Sequence, residues 1–265
     1  MFKESRGREA ERYEDIPKLA RFLEAVAKRY RSEGVPVNSN GRIDMQTYID
    51  FYPQHIDRDM EQIKEQKTRW EEERGTFSGE NLQNLGEGFE MLATAIFAKN
   101  LGDQFIIARS SEFDDIFHKV DTILLDRETG NLICAFDEVG DTTGASYERK
   151  LTSIRDRNRK GGATLKYGIA MKIENNKKEV VRSPAKNIPL FYIALSSDRI
   201  EKGIEEFAFD GQSDFEKKLF EYFIATLDMQ IKALELDPNQ LHPDLRKRLA
   251  IFKEAMERLG KKNPK

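Results

Sequence analysis

The chain has 265 residues, 34 % of them charged, and 44 Lys plus Arg stand against 47 Asp plus Glu for a net charge of −3. That length allows one large domain or two modest ones, and 17 Phe with 8 Tyr can build a sizeable core although only 38 % of residues are hydrophobic. No run of about 18 apolar residues offers a membrane span, Met1 to Glu14 is too charged for a secretory signal, and the single Cys134 excludes a disulfide framework or a multi-cysteine metal site.

A soluble, cytoplasmic protein of mixed α/β class is the expectation. Residues 1–75 read as a helical N-terminal extension. Ile16, Leu19, Phe22, Leu23, Val26 and Ala27 recur at helical spacing up to Gly34-Val35-Pro36. Asn38 to Gly41 is a loop, and a second, very polar helix is predicted from about Met45 to Arg74 with a break near Pro53. Gly75 to Gly79 marks a boundary. From there an α/β core is predicted over 76–205. Leu85, Phe89, Leu92, Ala93, Ile96 and Phe97 give the helix Leu82–Leu101 one apolar stripe, and Gly102 stops it. Strand-like segments follow at Gln104–Arg109, Lys119–Leu125 and Leu132–Val139, then a basic helix Tyr147–Lys160 closed by Gly161-Gly162. Thr164–Ile173 and Ile188–Leu195 read as further strands, with the polar 174–187 between them as a hairpin excursion or loop. Two C-terminal helices, Asp214–Leu234 and His242–Leu259, separated by a linker with Pro238 and Pro243, complete the chain over 206–265.

His55, His118 and His242 are too scattered for a metal-ligand pattern, and neither a Gly-rich phosphate loop nor a Gly-x-Ser-x-Gly elbow is present. The chemistry points instead to the second hairpin. Glu128-Thr129-Gly130 fits a three-residue turn with Gly at positive φ, which sets Arg127 opposite Asn131 and, in the same register, Asp121 opposite Asp137. Two carboxylates so placed among apolar neighbours repel each other, and a hard divalent cation offsets that repulsion. Glu138 then faces the other side and ranks second. The bland alternative is a pair of strand-end aspartates that only cap loops.

Charge is unevenly distributed around this hairpin. Ser111 to Asp141 carries a net −7, and Ser146 to Lys178 a net +7. An acidic pocket beside a basic helix suits a metal ion next to a polyanion backbone, although a solvated helix balancing its acidic neighbour produces the same pattern.

Over about Leu82 to Leu195 these residues resemble the PD-(D/E)xK phosphodiesterase superfamily, whose core runs helix, three-stranded meander, helix and further strand. Gly86-Glu87-Gly88-Phe89-Glu90 resembles the family's first-helix motif, Asp121 its second-strand aspartate, and Asp137 its third-strand acid. Ser110 to Asp115 is similar to the family's approach to its active site. The resemblance implies a restriction-endonuclease-like core with N- and C-terminal helical additions. It further implies Glu90, Asp121 and Asp137 as ligands of Mg²⁺ or Mn²⁺, with Glu87 competing for the place of Glu90. The family's lysine, two residues after the third-strand acid, is replaced by Val139. Some members take it from a neighbouring helix, which makes Lys150 the catalytic candidate and Lys166 the reserve. Arg155, Arg157, Arg159 and Lys160 would bind flanking phosphates, positioning a strand without reading it.

The reading is therefore a metal-dependent nuclease acting on nucleic acid, DNA foremost, with a homodimer left open. A nuclease-fold module that binds without cleaving is the first alternative. A protein scaffold built on the helices Met45–Arg74 and His242–Leu259 is the second.

Overall fold

The computed structural model describes residues 3–74, 79–140, 142–175, 177–236 and 241–262. The boundary expected at Gly75 to Gly79 and the linker around Pro238 lie mostly outside them. The chain opens with α1 (Lys3–Ser32), a 3₁₀ turn (Met45–Tyr48), α2 (Ile56–Arg74) and α3 (Gly79–Leu101). It continues through β1 (Phe105–Arg109), α4 (Glu112–His118), β2 (Thr122–Asp126), β3 (Leu132–Val139) and α5 (Gly144–Arg159). Four short strands follow, β4 (Ala163–Leu165), β5 (Ile169–Glu174), β6 (Lys177–Arg182) and β7 (Ala185–Ile188), then β8 (Leu190–Ala194), α6 (Ser197–Glu205), α7 (Asp214–Glu235) and α8 (Pro243–Lys262).

The fold is mixed α/β. Its main sheet has the order β1-β2-β3-β8: the first three strands form an antiparallel meander and β8 runs parallel to β3. Strand alternation gives the sheet two buried faces, because successive side chains point to opposite sides. On one face Ile107, Leu124, Phe136 and Phe191 pack with α3, α6, α7 and α8, and Phe97 stacks on Phe136 with ring centroids 5.1 Å apart. On the other, Ile106, Ile123 and Ala135 pack with Ile154 of α5 and with β4 and β7. Leu19 and Leu23 of α1 join the first cluster, and Ala27 and Tyr30 the second. The terminal helices thus complete the core. Each buried Leu or Phe contributes roughly 1.5–3 kcal/mol.

Several expected elements differ. The polar stretch breaks around Pro53 as expected, but its first part, Met45–Tyr48, is a 3₁₀ turn and only Ile56–Arg74 is α-helix. Thr164–Ile173 is two strands, interrupted where Gly168 packs against the Ser183 carbonyl. Ile188–Leu195 is likewise two strands that part at Pro189. The 174–187 segment takes the hairpin form of the two expected for it, with β6 paired along its whole length with β5. Helices α4 and α6 were not expected at all, yet Ser111 and Ser196 precede them in the extended geometry of helix N-caps.

The turn of the second hairpin also differs, with an instructive compensation. Asp126, not Arg127, faces Asn131: the Asp126 amide donates to the Asn131 carbonyl at 2.9 Å, so the connection has four residues. Gly130 takes φ +71° there, and its α-carbon face lies against the Met171 carbonyl, which leaves no room for a side chain. The register shifts by one residue between Leu124 and Leu125, a β-bulge. Beyond it, Thr122 faces Phe136, the pairing expected from the shorter turn.

Candidate functional site: an acidic cluster at the strand ends

Four elements deliver carboxylates to one end of the meander. Alternation along β3 places Asp137 on the α5 face and Glu138 on the α3 face. Asp121 stands one residue before β2, outside the ladder. Its amide donates to the Phe136 carbonyl at 2.9 Å, and its Oδ2 accepts the Glu138 amide at 2.7 Å. Glu90 reaches the same place from α3, one turn before Thr94, whose hydroxyl meets that of Thr122 at 3.2 Å. Asp115 arrives on α4, which Ser111 caps by accepting the Asp114 amide at 3.0 Å.

Glu90, Asp115 and Asp121 each offer an oxygen lying within 4.8 Å of the others. Asp137 is not the third member of this group. It stands beside it, with its Oδ1 2.5 Å from the Lys150 ammonium, which also donates to the Glu138 carbonyl at 3.0 Å. The four carboxylates share a pattern: the bonds they make among the described residues use one oxygen each. Arg109 and Arg42 hold Glu90 by Oε2 at 2.6 and 3.2 Å, and Arg42 holds Asp115 by Oδ2 at 2.9 Å. Partners that fix one oxygen orient the other, as outer-shell groups do around metal ligands.

Electrostatics point the same way. Burial, and then the charges of Asp137, Glu138, Glu90 and Asp115, push the Asp121 carboxyl well above its ordinary range. Burial raises Glu90 too, against the pull of Arg109. Glu138, only 7 % exposed, is pushed up to about 8, chiefly by burial, and neither of its carboxylate oxygens has a hydrogen-bond partner. Burial would lower the Lys150 ammonium, but Asp137 and Asp121 outweigh it and hold its pKa above the usual value.

Five carboxyl groups (Glu90, Asp115, Asp121, Asp137, Glu138) therefore gather near three cations, Arg42, Arg109 and Lys150, and ionising all five would leave two negative charges unbalanced by them. An all-oxygen donor set with orphaned buried carboxylate oxygens fits a hard divalent cation such as Mg²⁺ or Mn²⁺. The arrangement predicts a pH effect. Acids whose folded pKa lies above the unfolded value stabilise the fold fully below the unfolded pKa and lose that contribution as pH rises through the folded one. For Glu138 the window runs from its ordinary 4.5 to about 8. A cation takes the place of the protons. Melting temperature should therefore fall with rising pH in chelator and fall less in Mn²⁺; parallel curves would speak against a cation at these groups.

The other expected site residues separate clearly. Glu87 is exposed and stands 3.6 Å from Arg109, farther than Glu90. Lys166 is not at the cluster; its ammonium pairs with the buried Asp59, which also accepts the Tyr167 hydroxyl at 2.6 Å. Val139 is buried at 5 % exposure. On α5, Arg155, Arg159 and Lys160 are exposed, whereas Arg157 donates to the His118 and Lys119 carbonyls at 2.5 and 3.2 Å and is half-buried. Burial lowers the Arg157 pKa, although Asp137 and Asp121 oppose that. Sequence reasoning took in Asp115 only as the end of the Ser110 to Asp115 run, without a role, and missed Arg42 and Arg109. The Ser111-x-x-Asp114 spacing was a usable signal for α4 and hence for Asp115. Arg42 had none, since its position depends on the Ile43 amide bonding the Arg109 carbonyl at 3.0 Å, a long-range pairing.

No family model matches the chain, and neither a curated protein nor a solved structure matches it. Among the described residues no helix is long and apolar enough to cross a membrane.

Proposed function

We propose that the chain is a metal-dependent nuclease, cleaving phosphodiester bonds of nucleic acid, DNA foremost, on a restriction-endonuclease-like core. The observation that carries this reading is the Lys150 ammonium against Asp137, beside the cluster of Glu90, Asp115 and Asp121. The order α3, the β1-β2-β3 meander, α5 and β8 agrees with the family's core. Lys150 answers the one departure from the motif, Val139, because α5 packs on the sheet face to which Asp137 points.

Glu90, Asp115 and Asp121 would hold Mg²⁺ or Mn²⁺, with Asp137 and Glu138 next to them. Such an ion supplies a lowered water pKa and charge stabilisation on phosphoryl oxygens. Lys150 stays protonated at neutral pH, so it acts as a hydrogen-bond donor and positive charge rather than as a base. It can orient the attacking water and balance charge that develops at phosphorus. Arg155, Arg159 and Lys160 are exposed and would meet flanking phosphates in solvent, Arg159 exchanging its 3.8 Å ion pair with Asp156, a contact without sequence information.

Incubation with supercoiled plasmid and with single-stranded DNA and RNA should give nicking or degradation in Mg²⁺ or Mn²⁺ and none in EDTA. A second reading, a module that binds without cleaving, draws on Val139. It predicts salt-sensitive retention of DNA, equal with and without metal, and no product.

A further inference from the structure

The Asn38-Ser39-Asn40-Gly41-Arg42 segment, a mere loop by sequence, is a built turn. The Asn38 carboxamide oxygen accepts the Asn40 and Arg42 amides at 3.0 and 3.1 Å, and the Asn38 amide donates to the Arg42 carbonyl at 2.9 Å. Gly41 takes φ +69°, which lets the chain reverse. The Arg109 amide donates to the Gly41 carbonyl at 2.9 Å, docking the turn on the open edge of β1. The side chain so presented is Arg42, 16 % exposed, with one guanidinium nitrogen 2.9 Å from Asp115 and the other 3.2 Å from Glu90.

We propose that Arg42 is a built-in competitor of the metal ion, a positioning residue whose guanidinium must leave Glu90 and Asp115 for the cluster to take up a divalent cation. The inference rests on reading the cluster as a cation site. A cation shared by Glu90, Asp115 and Asp121 would sit about 2.0–2.6 Å from their oxygens, so it and the guanidinium would lie close together in a buried site, where like charges repel strongly. The two arginines differ in their freedom. Arg109 is 1 % exposed within β1 and keeps Glu90 neutralised when Arg42 departs. Arg42 belongs to a surface turn and makes the only ion pair of Asp115 among the described residues. It holds the carboxylates together without metal and, once displaced, is free for an anion such as a substrate phosphate.

Titration of Mn²⁺ into the full chain, followed by the electron paramagnetic resonance signal of the free ion, tests this without any activity readout. The unaltered chain should bind Mn²⁺, and Asp121→Asn should lose it. Arg42→Gln should bind about tenfold tighter or more, while Arg42→Lys, which keeps the charge, should stay nearer the parent. A merely structural Arg42 would lower the melting temperature without tightening the ion. Should Arg42→Gln not fold, the unaltered chain still decides: saturating Mn²⁺ should speed hydrogen exchange at the Ile43 and Arg109 amides, and unchanged or slower exchange overturns the proposal. Binding lost in Asp121→Asn yet not tightened in Arg42→Gln removes the Arg42 proposal alone. No Mn²⁺ binding at all removes the cation site with it.

Discussion

Asp121→Asn should abolish metal-dependent cleavage, by about a thousandfold or more, and at the same time stabilise the metal-free chain. The first effect follows from its place. Asp121 belongs to the three-oxygen cluster and its charge also acts on Asp137 and Lys150, and an amide replaces an anionic ligand by a neutral one. The second follows from its surroundings. The carboxyl is buried, and Asp137, Glu138, Glu90 and Asp115 raise the cost of ionising it. Asparagine keeps the acceptor for the Glu138 amide, now at 2.7 Å, and removes the charge. A gain of roughly 1–2 kcal/mol would show as several degrees in melting temperature, growing as pH rises, because burial and the neighbouring acids make the native carboxyl costly to ionise. A variant that keeps full cleavage removes Asp121 from the chemistry. A variant that loses cleavage and melts lower at every pH makes Asp121 a structural anchor instead.

That opposition between stability and activity explains why the site was only half legible in the sequence. Asp121 and Asp137 stood out because charged residues interrupt otherwise apolar strands, a local conflict that a sequence displays openly. Their meeting depended on a register that one misread residue in the turn would have reversed. The extra residue of the four-residue turn is cancelled by the bulge at Leu124/Leu125, and no feature of that apolar run announces a bulge. Strand and helix existence in the core was legible because alternation and helical spacing are dictated by burial: β3 runs from Leu132 to Val139 as expected. Helix α4, seven residues in a charged stretch, lacks enough apolar positions to register as periodic, so Asp115 was left without a role. Arg42 and Arg109 meet Glu90 from opposite sides of the chain's first 109 residues, and that convergence is a property of the fold rather than of any segment.

Lys150→Met should lower cleavage by about 10²–10³-fold, the usual effect of removing one preorganised donor from a transition state, while Mn²⁺ binding stays equal or tightens. The ammonium lies 2.5 Å from Asp137 and 3.0 Å from the Glu138 carbonyl, so it is fixed to the same strand end as the acids without belonging to the cluster that would hold the ion. Loss of a positive charge there leaves the carboxylates more negative and the cation site no weaker. Some stability should go as well, on the order of 1–2 kcal/mol, because Asp137 loses its partner but the Lys150 side chain is 37 % exposed and water screens the pair. Lys150→Arg separates the two roles. Its planar fork restores the charge beside Asp137 and much of the melting temperature, yet it cannot reproduce a compact donor on Oδ1 and the Glu138 carbonyl at once. Catalysis should therefore recover far less than stability. If cleavage instead follows melting temperature through Met and Arg alike, Lys150 is a strut for α5, and the missing motif lysine at Val139 regains its weight as a sign of lost activity.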